Sequence, residues 1–158
     1  LGFPVFRTMG GVMGMCLCND RRWPETWRVM GMQDVDIVML GYNTPVYNSV
    51  ASESPHLRMF HNHISMQAGA YQNGTWAVGT AKAGMEGGVD MMAGSCIIAP
   101  TGEIVALATT AEDEVIVAEC DLDRGRYIRD TVFNFAQHRR IENYGLITER
   151  TEAIAPPE

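Results

Sequence analysis

The 158 residues predict an α/β fold, and three patterns carry that expectation. Two short apolar runs, 12–17 (VMGMCL) and 36–40 (DIVML), have the length and continuity of parallel strands buried on both faces. Each precedes a stretch with helical periodicity, at about 24–33 and about 56–72, and strand–helix alternation is how a helix-covered sheet reads in sequence. The second half then turns to hairpin signals before a closing helix. The expected order is β(β)-α-β-α-β-β-β-β-α, with no repeat or linker between elements.

Residues 3–17 should give one or two strands, with Gly10 and Gly11 as a turn or bulge. Pro24 and Glu25 suit a helix start, because the N–H that Pro lacks has no intrahelical partner there and Glu favours the positive end of the dipole. In that helix Trp27 and Met30 are expected inward and Arg28 outward. The run at 36–40 leads into Gly41-Tyr42-Asn43-Thr44-Pro45. Ligand groups gather at carboxyl ends of strands in open α/β sheets, although on the residues alone an ordinary polar turn is the simpler account.

Residues 46–55 read as a loop. The helix after it should present a stripe of Met59, His63, Met66 and Ala70, widened by Phe60, Ile64 and Tyr71. His61 and His63 stand two apart, do not face each other on a helix and have no third ligand at fitting spacing, so packing is expected of them and no metal. Asn73-Gly74 is a turn signal, and 76–81 is a strand leading to Lys82, the only lysine. The glycine-rich 84–94 lacks the Gly-Lys-Ser/Thr ending of a phosphate loop, so no nucleotide role follows. Residues 95–99 and 104–108 flank a hairpin turn, 114–118 (EVIVA) reads as a further strand, and 124–139 as the last main helix with Ile128, Val132, Phe135 and Ala136 inward. Residues 151–158 form a short Pro-ended tail, expected to be disordered.

Composition narrows the function classes. A hydrophobic content of 46% over this length fits one domain's core. A net charge of −7 argues against nucleic acid or an anionic membrane surface as partner. No apolar run has spanning length and nothing resembles a signal peptide. Cysteines at 16, 18, 96 and 120 fit neither zinc spacing nor a disulfide framework, which points to a reducing cytoplasm.

The chemistry concentrates in GMCLCNDRRWPE (14–25). A tight turn between strand and helix would set Cys18 at a strand's carboxyl end, near backbone N–H groups able to steady a thiolate or an oxyanion. Cys16 lies inside the apolar run and Cys18 at its polar boundary. Arg21 and Arg22 are costly to bury unless an anion pairs with them, and nearby cations lower a thiol's pKa. The residues alone leave two readings of Cys18 open, a nucleophile and an inert small hydrophobe.

The run MCLCNDRRWPETWR resembles the nucleophile motif of the nitrilase (carbon–nitrogen hydrolase) superfamily, and within it the N-carbamoyl-D-amino-acid amidohydrolases, or D-carbamoylases. The likeness continues through MLGYNTP (39–45), HLRMFHNHISMQAGAYQNGTW (56–76), GSCIIAPTGEIVA (94–106) and FNFAQHRR (133–140), up to about residue 150. It implies an αββα sandwich of which residues 1–150 supply the C-terminal half, and a Glu-Lys-Cys triad whose Glu and Lys lie upstream. Cys18 matches the nucleophile, and Lys82 is not the triad lysine. Each sheet would lack part of its apolar cover.

The same resemblance implies hydrolysis of an N-carbamoyl-D-amino acid without a cofactor. The Asn19 N–H and the upstream Lys would form the oxyanion site, and Arg21, Arg22, Asn43 and Thr44 would hold the substrate carboxylate. It also implies a homo-oligomer. The alternatives are another carbon–nitrogen hydrolase, such as a β-ureidopropionase-like enzyme or an aliphatic amidase, and a non-catalytic product that only associates with a full-length copy. Paired arginines would lack a partner in enzymes whose substrates carry no α-carboxylate, which favours the first reading over carbamoylputrescine hydrolases and aliphatic amidases.

Overall fold

A computed structural model describes residues 2–47 and 53–157, so the middle of the loop expected at 46–55 and the last residue of the tail lie outside the described residues. Strands β1 (Val5–Thr8) and β2 (Gly11–Leu17) form an antiparallel hairpin. Its two-residue turn, Met9-Gly10, has φ of 52° and 81°, the twist a tight hairpin needs. Helix α1 (Pro24–Gly31) carries the chain to β3 (Ile37–Tyr42), and α2 (Pro55–Asn73) carries it to β4 (Trp76–Ala81). Strands β2, β3 and β4 run parallel, with Gly14, Val38 and Ala77 in register. The glycine-rich segment folds into a separate ribbon of β5 (Met85–Glu86) and β6 (Val89–Asp90). The hairpin of β7 (Cys96–Ile98) and β8 (Ile104–Leu107) then completes a sheet of order β1-β2-β3-β4-β7-β8.

Both long helices cover one face of that sheet. Val38, Leu40, Tyr42, Ala77, Cys96 and Ile98 pack there with Trp27, Met30, Met66 and Ala70. A Cβ at Gly69 would fall on the Trp27 ring, so the α1–α2 contact depends on that residue having no side chain. Ser54 caps α2 by accepting from the Leu57 N–H at 3.3 Å, and Gly74 ends it at φ +58°. The buried face of α2 is Arg58, Asn62, Met66, Gly69, Ala70 and Asn73, whereas Phe60, Ile64 and Tyr71, expected to widen it, are exposed. The helix turns this way because Asn62 finds buried partners and Gly69 admits the indole.

The other face is covered only in part. Ile116, Ala118, Cys120 and Leu122 lie across Trp76, Ile97 and Ala99, and the Trp76 indole donates to the Asp121 carbonyl at 2.8 Å. Phe6, Met15, Leu17 and Met39 stay exposed. The expectation that 12–17 is buried on both faces therefore holds for one only, because helices cover one side and nothing described covers the upper part of the other. One sheet with helices on one face amounts to two layers of the expected αββα sandwich.

Three further expectations change. Residues 114–118 alternate outward and inward but form no strand, since Ile116 and Ala118 meet their apolar demand by lying on the sheet face rather than by pairing with its edge. The helix expected over 124–139 divides into a 3₁₀ turn (Leu122–Gly125), α3 (Arg126–Asp130) and α4 (Phe135–His138). Thr131 leaves helical geometry (φ −122°, ψ −90°) with its hydroxyl donating to the Tyr127 carbonyl at 2.7 Å, and Asn134 caps α4 by accepting from the Gln137 N–H at 3.1 Å. Ile128 is buried, but Val132 and Ala136 face solvent. Arg28 is half-buried rather than outward, with its guanidinium 4.2 Å from the Phe135 ring centre. A 3₁₀ turn (Ile141–Asn143) and α5 (Gly145–Glu149) follow, and the exposed residues after them have neither helix nor strand.

Candidate active site

The site begins where β2 ends. Cys18 opens a 3₁₀ turn, Cys18–Arg22, with φ +47°, a conformation that residues with side chains rarely adopt. Asp20 holds the bend by accepting from the Leu17 N–H at 3.0 Å, and Pro24 starts α1 two residues after the turn. The two neighbouring thiols have different settings. Both pack against the helix-covered core, but burial and the nearby Asp20 push the Cys16 pKa up to about 12 and keep it protonated, whereas Cys18 also lines an open cleft.

That cleft encloses about 390 Å³ and is lined by Cys18, Asn19, Arg21, Arg22, Asn43, Thr44, Pro45, Glu53 and Arg58. All six site residues read from the sequence thus come together. The parallel register accounts for this, because β2 and β3 end side by side, with Leu17 opposite Gly41.

Within the cleft the two adjacent arginines differ. Arg21 is only 1% exposed and its guanidinium is committed to the protein. Nε donates to Asn62 Oδ1 at 2.7 Å, Nη2 to Thr44 Oγ1 at 3.0 Å and Nη1 to the Cys18 carbonyl, while the plane lies 4.1 Å from the Tyr42 ring centre. Asn62 passes the network on to the Tyr42 hydroxyl, which donates to the Gly94 carbonyl, each bond 3.2 Å. The Arg21 carbonyl accepts from the Trp27 indole at 2.8 Å. Burial, then Arg22, lowers the Arg21 pKa, and burial pushes the Tyr42 hydroxyl up to about 12. Arg21 is therefore a buried tie from the Cys18 turn to α2 and to the turn after β3. Arg22 is only half-buried.

Lys82 stands apart from the cleft lining, just past β4 and 3.9 Å from Glu86. His61 pairs through Nδ1 with Glu53, and His63 Nε2 lies 3.2 Å from the Gly94 carbonyl. Among the described residues no group of three or more metal-capable side chains occurs. Among the described helices none is long and apolar enough to cross a membrane. The sequence reading missed Asn62, Tyr42, Glu53 and Arg58. For Arg58 and Asn62 the signal was a second helical stripe, 58-62-66-69-73, beside the one followed, whereas Tyr42 and Glu53 lie off the helix and carried none.

A thiol-bearing bend between a parallel strand and a helix of an α/β sheet, opening onto a cationic cleft, has the strand–turn–helix geometry that nucleophile elbows share. The sequence pattern of the carbon–nitrogen hydrolases matches residues 1–130, and the chain belongs to that family. It is 31% identical over 131 residues to an N-carbamoylputrescine amidase of rice (Oryza sativa subsp. japonica), covering 77% of this chain and 42% of that protein. It is 25% identical over 142 residues to a probable nitrilase of Schizosaccharomyces pombe, covering 90% and 48%. The crystal structure of a carbon–nitrogen hydrolase from Helicobacter pylori G27 superposes with a TM-score of 0.82 at 25% identity, over 95% of this chain and 53% of that one. The chain spans about half the length of these relatives.

Proposed function

We propose that this chain carries the nucleophile and the carboxylate-recognising wall of a hydrolase for N-carbamoyl-D-amino acids, with the Glu and Lys of the triad supplied by a segment outside it. The observation that carries the reading is the single cleft shared by Cys18, Asn19, Arg22, Asn43 and Thr44. In this reading the Cys18 thiolate attacks the carbamoyl carbon, the bond to the terminal nitrogen breaks and ammonia leaves. Water then cleaves the thioester, releasing a carbamate that loses carbon dioxide to give the D-amino acid. The Asn19 N–H and the triad lysine stabilise the oxyanion. The substrate carboxylate binds the cationic wall, which fixes the reacting carbon near sulfur. Arg21 positions the bend rather than gripping substrate.

An N-carbamoylputrescine amidase is the second reading, favoured by the likeness to the rice enzyme. That substrate ends in an ammonium, and a cleft with three guanidiniums against one carboxylate repels it. The test is ammonia release from N-carbamoyl-D-alanine and from N-carbamoylputrescine, by this chain alone and mixed with an upstream Glu–Lys half from a family member. Release from the carbamoyl amino acid only after mixing, abolished by Cys18→Ala, is the expected result. Preference for the putrescine compound establishes the second reading, and activity of the chain alone removes the split triad. No release from either compound, with both halves folded and associated, favours the non-catalytic alternative.

A further inference from the structure

Three guanidiniums line the cleft, and they differ in what they already hold. Arg21 bonds three protein acceptors and Arg22 reaches solvent. Arg58 is 4% exposed, yet its Nε and Nη1 are buried with no hydrogen-bond partner among the described residues. A buried cation without a partner is strongly unfavourable, because the water it gave up has not been replaced.

Two further features sharpen the imbalance. Arg58 sits in the first turn of α2, its N–H bonded to the Ser54 carbonyl at 3.0 Å. The helix dipole disfavours a cation there and favours an anion. The one carboxylate lining the cleft, Glu53, is paired with His61 rather than with Arg58. Burial, missing partners and the dipole all favour an anion beside Arg58, which lines the cleft.

We propose that Arg58 is the receptor for the substrate's carboxylate and sets this cleft's preference for acids over neutral amides. The proposal rests on the reading of Cys18 as the cleft's reacting group, and it assigns the carboxylate to a residue on α2 rather than to Arg21. Arg22, Asn43 and Thr44 line the same cleft and complete the cradle.

The test uses two small alkylating agents of one shape and different charge, iodoacetate and iodoacetamide, with labelling at Cys18 read by peptide mapping in the full 158-residue chain. A cationic receptor beside the thiol should raise the iodoacetate-to-iodoacetamide rate ratio above that of the unfolded chain. Arg58→Gln should lower that ratio about tenfold, the ratio cancelling any change in the thiol's own reactivity because both reagents share it, and Arg58→Lys should restore part of it, as expected for one charge acting at short range in a partly desolvated site. An unchanged ratio in Arg58→Gln, or no anion preference in the wild-type chain, overturns the proposal.

Thermal unfolding supplies an independent arm. Arg58→Met should raise Tm in anion-free buffer, and acetate should raise the Tm of the wild-type chain but not of the variant. A destabilised Arg58→Met, or an equal response to acetate, also overturns the proposal. The hydrolase reading fails separately: anion selectivity at Cys18 without carbamoyl hydrolysis leaves Arg58 standing and removes the proposed reaction.

Discussion

On the helix-covered face of the sheet, Val38, Leu40 and Ala77 lie beneath Trp27, Met30 and Met66. On the opposite face, Met15, Leu17 and Met39 of the same neighbouring strands meet solvent, with Met15 63% and Leu17 69% exposed. Both sets are apolar and both belong to parallel strands. The difference lies in what is laid over them, so apolar content states a demand for cover without saying which elements meet it. The bend after β2 joins the two situations: Cys16 and Cys18 both pack against the covered core, and Cys18, by leaving strand geometry, also lines the cleft.

The covered face should be far less tolerant than the open one. Trp27→Ala should destabilise the chain most, by about 3–5 kcal/mol in denaturant titration, since a large buried side chain leaves a cavity. Gly69→Ala should move stability in the same direction by displacing that ring. A cost no greater than that of Met15→Ala would erase the distinction between the faces.

Arg21→Met comes next, at about 2–4 kcal/mol, because Asn62, Thr44 and the Cys18 carbonyl lose a buried donor together. It should also slow iodoacetamide labelling of Cys18, and Asn62→Ala should repeat both effects more weakly. Unchanged Cys18 reactivity in a folded Arg21→Met chain would remove Arg21's role in holding the bend.

The third prediction concerns pH. Cys16 and Cys96 have folded pKa values pushed up to about 12, chiefly by burial, from an ordinary 9.0. The folded state keeps these protons where the unfolded state releases them, so their contribution is intact below about pH 9 and is lost as pH rises from there toward 12. Tm should fall over that interval, and less steeply in Cys96→Ala. At pH 8 neither thiol should be alkylated before the chain unfolds. The smallest effect belongs to the open face, where Met15→Thr and Leu17→Thr should each stay within about 0.5 kcal/mol.

Legibility followed the range of the deciding interaction. The bend at Cys18, the start of α1 at Pro24, the Gly74 stop and the limits of β4 rest on residues within a turn of one another, and they were readable. EVIVA alternates like a strand, but strand formation needs a neighbour with free hydrogen-bonding groups, and the chain used those apolar side chains as cover instead. The long last helix failed at Thr131 and Asn134, whose side chains bond the backbone and offered local alternatives to the helix. Within the cleft the residue types were legible and their division of labour was not, since Arg21 and Arg22 are adjacent in sequence and differ only in what surrounds them.

Apart from the placing of Asn43 and Thr44 beside Cys18, which the family resemblance implied, the sequence by itself determined the α/β class, the parallel strands and the strand–thiol–helix bend. These follow from periodicity and from local backbone chemistry. Only the tertiary structure decided which sheet face is covered, which arginine is tied into the fold and which is left unpaired, and that Asn62 and Arg58 face the site. Those outcomes depend on partners 20 to 41 residues away along the chain, the longest being the separation of Arg21 and Asn62, and no local pattern encodes the desolvation that separates one arginine from the next.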